Sequence, residues 1–150
     1  MPVVWRPQMS VGNQLIDNDH RYLICLINTV ELSLRVPENR DLVSAAIEQL
    51  MQYTADHFAR EEAIQLKIQY PKYMAHKQEY QDIMDELARI RTRIEAMAGT
   101  STAGDGSIAA AHPEDVSELV ALLRHWIIDH VLKVDVELKP YLARYPDTLS

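Results

Sequence analysis

The sequence has little of what several classes of protein require. It contains one cysteine, Cys25, so neither an intramolecular disulfide nor a cysteine zinc cluster can form. It has no basic cluster and a formal net charge of −7, which argues against a nucleic-acid partner because phosphates must be neutralised by dense lysine and arginine. No apolar run approaches the roughly 18 residues of a membrane helix, and the N-terminus does not resemble a signal peptide. We therefore expect a soluble, cytoplasmic protein with neither a nucleic-acid nor a membrane partner.

Proline and glycine are also few, and they divide the chain into four long segments. Each segment carries apolar residues at helical spacing, and none alternates with the period of a strand. The small and polar segment 99–112 predicts a flexible loop, and Asp17 is the predicted N-cap of the first helix. The predicted helices span 17–36, 41–67, 72–97 and 114–138.

Four amphipathic helices with mostly short connections predict an all-α fold. Because short connections favour antiparallel neighbours, we expect an antiparallel up-down-up-down four-helix bundle that forms one domain over residues 1–150. An N-terminal arm and a short C-terminal tail extend from it. Trp5 on the arm is expected at the same end as the ligand candidates below, where it either covers their site or anchors the arm.

Six histidines stand beside a single phenylalanine, and four of them interrupt the apolar stripes of the helices. In an antiparallel bundle, the starts of helices one and three and the ends of helices two and four lie at the same end. Burying several unpaired ionisable groups there would cost several kcal/mol unless a cation lay among them. His112 and His125 are predicted surface residues. The residues expected in this layer are His20, His57, Glu61, His76, Tyr80, His130 and Asp135.

The spacing of these residues supports a metal site. Two pairs, His57 with Glu61 and His76 with Tyr80, are four residues apart, so each pair projects from one helix face. His130 and Asp135 are five residues apart, which would separate their side chains by about 140° on an ideal α-helix. A local π-turn would bring them together. Nitrogen and carboxylate ligands without thiolate suit iron, manganese or zinc. The set is too large for one tetrahedral zinc and about large enough for two carboxylate-bridged irons.

Four stretches of the chain resemble the hemerythrins, and more closely the bacterial hemerythrin-like domains. With Trp5 they spread over residues 5–135, and they read VGNQLIDNDHRYLICLIN, HFAREE, YPKYMAHKQEY and WIIDHVLKVD. The resemblance implies a four-helix bundle holding two non-haem iron ions, oxo- or hydroxo-bridged, with O2 bound at the less coordinated iron.

The resemblance also implies a role for individual residues. His20 and His57 would hold the iron that binds O2, and His76 and His130 would hold the other iron. Glu61 and Asp135 would bridge the two irons. The apolar residues matching the family's O2 pocket are Leu23, Phe58, Trp126, Ile127 and Val131.

Tyr80 departs from the family pattern, because the family usually has a second histidine at this point of helix three. Tyr80 either ligates iron as a phenolate or does not ligate, which would leave a water or an open coordination position on that iron. A phenolate would favour ferric iron, speed autoxidation and add a visible phenolate-to-iron charge-transfer band.

Three functions follow from these expectations. The leading one is an O2-binding protein that stores, delivers or senses O2 and is not an enzyme. The second is a di-iron oxidase or peroxidase, acting on O2 or peroxide, with Tyr80 as its catalytic residue. The third is a redox or nitric-oxide sensor, for which the sequence identifies no protein partner.

Overall fold

The computed structural model describes residues 2–35, 40–99 and 113–150, and its regular structure is helical. These ranges contain no strand, and no helix in them is both long and apolar enough to cross a membrane. The predicted all-α class is confirmed. The α-helices are α1 Gln14–Arg35, α2 Arg40–Lys67, α3 Tyr73–Gly99, α4 Pro113–Asp129 and α5 Lys139–Leu142. The shorter elements are 3-10 turns at Pro7–Met9 and Asp135–Leu138 and a π-helix at His130–Val134.

The first helix begins at Gln14, earlier than predicted, because Asn13 caps it. The side-chain Oδ1 of Asn13 accepts a hydrogen bond from the backbone N–H of Ile16 at 3.0 Å, which satisfies one of the free donors of the first turn. Asp17 instead lies inside the helix, where its carboxylate accepts a hydrogen bond from the backbone N–H of Val11 at 2.9 Å. The prediction of Asp17 as the N-cap is therefore wrong.

The structure describes only part of the predicted loop and one of the two predicted surface histidines. Gly99 belongs to α3. The remainder of the predicted flexible loop 99–112, with His112, lies outside the described residues. His125, the other predicted surface histidine, is exposed on α4 and forms an ion pair with Asp129.

Ion pairs at one end of the bundle show how the helices run. Arg91 near the end of α3 pairs with Glu48 near the start of α2 at 3.0 Å. Arg93 pairs with Glu118 near the start of α4 at 3.2 Å. The end of α3 therefore lies beside the starts of α2 and α4, as in an antiparallel arrangement. These exposed pairs mark direction but contribute little stability.

Two apolar clusters hold the helices together. The main core runs along the bundle, and burial of each large side chain in it is worth about 1.5–3 kcal/mol. The smaller end cluster lies where α1 begins and α2 ends. The fully or nearly fully buried members of the main core include Leu23, Ile27, Val30, Ile47, Leu50, Leu87, Ile90, Leu119, Leu123 and Ile127. The end cluster comprises Val11, Ile16, Ile64, Ile68, Tyr70, Leu138 and Leu142.

The N-terminal arm lies along α1. The amide of Asn28 binds the backbone of Val3 twice, at 2.9 Å and 2.8 Å. Trp5 packs against the main core, and the guanidinium of Arg21 lies 4.9 Å from the centre of a Trp5 ring. Of the two roles expected for Trp5, these contacts support anchoring of the arm.

The C-terminal tail packs against the end cluster and binds the start of α1. The backbone N–H of Gln14 donates to the carbonyl of Asp147 at 2.8 Å, and the Asn13 amide donates to the carbonyl of Leu149 at 2.8 Å. The residues that start α1 are therefore held by the last residues of the chain.

The fourth helix changes its winding where two ligand candidates lie. After α4 ends at Asp129, residues His130–Val134 form a π-helix, and the backbone N–H of Asp135 donates to the carbonyl of His130. This wider turn places residues five apart on one face, whereas an ordinary α-helix would separate them. The predicted π-turn between His130 and Asp135 is confirmed.

Candidate metal centre

Five ionisable side chains from two α-helices and the π-helical region converge at one end of the bundle. They come from the start of α1, the later part of α2, the first residue of the π-helix and the residue that follows it. One ligand atom from each lies within 4.8 Å of the others, and all five side chains are buried. Ligands on opposite sides of an ion with bonds of about 2.1 Å are about 4.2 Å apart, so this spacing suits shared ions. The five residues are His20, His57, Glu61, His130 and Asp135.

The ligand atoms approach one another closely without forming hydrogen bonds. Oδ2 of Asp135 lies 2.8 Å from Nε2 of His20 and 2.7 Å from Nε2 of His130. Nε2 of His57 lies 2.8 Å from Oε2 of Glu61. The geometry of these approaches is poor for hydrogen bonding, and within the described part of the chain neither oxygen of either carboxylate has a hydrogen-bond partner. Each unsatisfied buried atom costs about 1–3 kcal/mol, and a bound cation would remove that cost.

The buried carboxylates and imidazoles of the cluster shift one another's pKa values. Burial, together with the neighbouring Asp135 carboxylate, raises the pKa of Glu61 to about 7. Burial would raise the pKa of Asp135 as well, but the surrounding imidazoles, His130 first, hold it well below its usual range. Burial lowers the pKa of His20 to about 4, which favours the neutral imidazole that binds metals.

His76 and Tyr80 lie beside this group of five and are joined by Gln65. The Gln65 amide nitrogen is 3.0 Å from Nδ1 of His76 and donates to the Tyr80 hydroxyl at 2.8 Å. This contact leaves Nε2 of His76 as the ring nitrogen available to a metal. The Phe58 ring stacks on the Tyr80 ring with centroids 4.1 Å apart. Burial and the nearby Glu61 carboxylate raise the pKa of Tyr80 far above its usual value.

The residues of the predicted apolar pocket are buried wherever their side chains are described. The Phe58 ring lies 5.2 Å from the His130 ring, and the Trp126 ring lies parallel to the His130 ring at 6.1 Å. The side chain of Val131 lies outside the described part. The other two members, Leu23 and Ile127, belong to the main core.

A cleft of about 340 Å³ reaches His130 from the surface between α3 and α4. Its apolar lining includes Ile83, Leu122 and Trp126. The rim carries the carboxylates of Glu79, Asp82, Glu86 and Asp129.

The donor set of the whole site fits a metal ion that is intermediate between hard and soft in its ligand preference. Four imidazoles and two carboxylates, with no thiolate, suit iron, manganese or zinc. The set exceeds the four ligands of one tetrahedral zinc. A model of the family described as the hemerythrin HHE cation binding domain matches residues 11–142.

The chain belongs to the hemerythrin family. Among its relatives, the bacteriohemerythrin of Stenotrophomonas maltophilia (strain R551-3) is 28% identical over 130 residues, which cover 86% of this chain and 74% of that protein. The bacteriohemerythrin of Ralstonia nicotianae is 28% identical over 149 residues, 98% of this chain and 95% of that protein. The resemblance to bacterial hemerythrins is confirmed.

The fold agrees with that of crystallised hemerythrin. The wild-type hemerythrin crystal structure superposes with a TM-score of 0.75 at 20% identity and covers 95% of this chain and 99% of its own. At this identity the match shows the four-helix bundle fold of the family.

Sequence reasoning missed an outer layer of polar residues around the candidate ligands. The buried carboxylate of Asp19 binds Nδ1 of His57 at 3.1 Å, and it also accepts hydrogen bonds from Tyr53 and Arg60. The Gln65 side chain likewise contacts Nδ1 of His76. Helical spacing offered a signal, because Gln65 lies four residues after Glu61 and Arg60 lies three after His57.

Proposed function

We propose that this chain holds two non-haem iron ions in an oxo- or hydroxo-bridged centre and binds O2 there, for storage, delivery or sensing. The observation that carries the proposal is the buried convergence of imidazoles with carboxylates whose oxygens have no hydrogen-bond partner in the ranges that the structure describes. The proposed ligands of the O2-binding iron are His20 and His57, the bridges are Glu61 and Asp135, and the ligands of the other iron are His76 and His130, with Tyr80 beside them.

The chain's own residues would orient the ligands and exclude water. Asp19 accepts from Nδ1–H of His57, which leaves Nε2 as the ligating nitrogen. The buried rings of Phe58 and Trp126 surround the imidazoles with apolar surface that suits the apolar O2 molecule. Bound iron would supply the electrons on which reversible O2 binding depends.

Metal analysis and optical spectra test the proposal. The purified chain should contain two irons, and its reduced form should gain a visible band with O2 that disappears when O2 is removed. Glu61→Ala should lose iron, because it removes a fully buried carboxylate. Its neighbour Glu62, only partly buried, provides the matched control Glu62→Ala, which should keep both irons. Selective zinc uptake, or a diferrous form that never gains the band, would contradict the proposal.

A second candidate function, a di-iron oxidase or peroxidase, is favoured by Tyr80. Its hydroxyl lies among Gln65, His76 and the Glu61 carboxylate, where the family pattern has a histidine. If Tyr80 ligates iron, Tyr80→Phe should remove a visible band of the ferric protein, and Tyr80→His should slow autoxidation. Peroxide turnover no faster than that of free iron would reject the enzyme.

A further inference from the structure

A chain of contacts leads from the proposed metal ligands towards the surface through Asp19. His57 is fully buried, and its Nε2 faces Glu61 at 2.8 Å. The other ring nitrogen of His57, Nδ1, lies 3.1 Å from Oδ2 of Asp19. The imidazole therefore spans the distance between the ligand cluster and this carboxylate.

Tyr53 forms the next link. Its hydroxyl donates to Oδ1 of Asp19 at 2.7 Å. Arg60 donates two hydrogen bonds to the same carboxylate, both at 2.8 Å, and its guanidinium lies 5.2 Å from the centre of the Tyr53 ring. Asp19 is thus held rigidly between His57 and Tyr53.

Tyr22 carries the chain of contacts to solvent. Its ring centroid lies 4.5 Å from that of Tyr53, and Tyr22 is 48% exposed on α1. The sequence of contacts from the ligand cluster is His57, Asp19, Tyr53 and Tyr22, with hydrogen bonds at the first two steps and ring contact at the last.

The other ligand imidazoles lack such a link. Among the residues that the structure describes, Nδ1 of His20 and Nδ1 of His130 have no hydrogen-bond partner. Nδ1 of His76 meets Gln65, which is fully buried. His76 does contact Tyr70, whose ring touches the partly exposed Tyr141, but these are ring contacts without a hydrogen bond between them. Electron tunnelling decays more slowly through bonds and hydrogen bonds than across gaps, so the His57 side offers the better coupled route.

We propose that Tyr22, Tyr53 and Asp19 form the route by which electrons pass from a one-electron donor at the surface to the metal centre. The inference rests on the proposed function, because it requires iron at His57. In each transfer the donor loses one electron and one ferric ion becomes ferrous, so two transfers reduce the di-iron centre. No bond breaks and no proton leaves the route, since the electron tunnels past the intact phenols. The route would return an autoxidised centre to the ferrous form that binds O2.

Cys25 makes the route testable. It is the chain's one cysteine, it is exposed, and it lies one helical turn after Tyr22 on α1. A thiol-reactive ruthenium photosensitiser attached there places a donor beside Tyr22, and a light flash then starts reduction of the iron-loaded ferric protein, which absorbance follows. Tyr53→Phe should slow this reduction severalfold, because it removes the hydrogen bond that joins Tyr53 to Asp19. Tyr22→Leu should also slow it, whereas Tyr141→Phe should leave the rate unchanged.

Iron content and midpoint potential, measured first on each labelled variant, separate the outcomes. If the unaltered chain does not take up two irons, the proposed function has failed and the route fails with it. If Tyr53→Phe keeps the iron and the potential and is reduced at the unaltered rate, only the route is overturned. If Tyr53→Phe loses iron, Tyr22→Leu decides, because within the described residues no hydrogen bond joins Tyr22 to Asp19 or to a candidate ligand, and an unaltered rate there overturns the route.

Discussion

The two ends of the bundle are built in opposite ways. At the far end, where α1 finishes and α2 begins, apolar side chains fill the interior and charged pairs such as Arg91 with Glu48 lie outside. At the ligand end, where His20 and Asp135 lie, the charged groups are inside and the apolar end cluster lies beyond them. The far end is held together by apolar burial and by buried charge that has partners, such as Glu31 with Arg124, whereas the carboxylates buried at the ligand end have no hydrogen-bond partner among the described residues. We therefore expect a bound cation to stabilise the ligand end more than the far end.

Metal removal should have the largest effect and should act on the ligand end. Binding to the folded state alone adds about 4 kcal/mol when free iron exceeds its dissociation constant about a thousandfold. Chelation should therefore lower the melting temperature and speed amide hydrogen exchange around His57 more than around Ile47. Equal acceleration of amide exchange at both ends would contradict the difference that we expect between them.

Truncation of the far-end core should destabilise the protein without affecting iron. Ile90 is 1% exposed, so Ile90→Ala should cost about 3 kcal/mol in unfolding free energy by leaving a cavity. Denaturant titration of the apoprotein measures this loss, and metal analysis should still find the full iron content. Leu32→Ala is the matched control, because Leu32 is 63% exposed and its truncation should change little.

A buried carboxylate in the far half should make stability depend on pH. Burial would raise the pKa of Glu31, but hydrogen bonds from Arg124 and then Arg35 lower it. A lowered folded-state pKa means that the stabilisation is complete above the ordinary value of 4.5 and is lost as pH falls through the folded value. Glu31→Gln should therefore cost about 2 kcal/mol at pH 7, and the difference should shrink in acid.

Urea titrations of the apoprotein at several pH values check the Glu31 prediction. The control is Glu48→Gln, whose pair with Arg91 is exposed and should contribute little at any pH. A constant difference between the unaltered chain and Glu31→Gln from pH 7 to pH 3 would contradict the assignment.

The smallest expected effect is a gain at the ligand end. Gln69, two residues after the end of α2, has a φ of 54°, a left-handed conformation that costs a side-chain-bearing residue about 1–2 kcal/mol. Gln69→Gly should raise the unfolding free energy by about 1 kcal/mol, less what glycine's greater freedom in the unfolded chain removes. Gln69→Ala keeps the strain, so thermal denaturation should show no gain for it.

Periodic apolar spacing was enough to predict the all-α class and the main helices, because each helix buries one stripe. The ligand positions His20, His57, Glu61, His130 and Asp135 were placed in one layer by helix direction alone, and the structure brings these five together. The assignment of iron to them stays a prediction.

What escaped sequence reasoning depends on contacts between elements. Asn13 rather than Asp17 caps α1, and the choice depends on how residues 10–13 and the tail approach the helix. The grouping of Asp19 with Tyr53 and Arg60 requires two helices in register. Gln65 lies on the Glu61 face of α2 by spacing, but its hydrogen bond to Tyr80 joins α2 to α3 and depends on how the two helices pack.

The π-helix at His130–Val134 makes the metal centre depend on the length of the chain as well as on its composition. Deleting one residue between His130 and Asp135 would leave every ligand type present and let the segment wind as an ordinary α-helix. That shorter chain would gain helical regularity and, because Asp135 would then follow His130 by four residues, would alter where its carboxylate points. In laboratory evolution of this protein, single-residue deletions here should separate selection for stability from selection for metal binding.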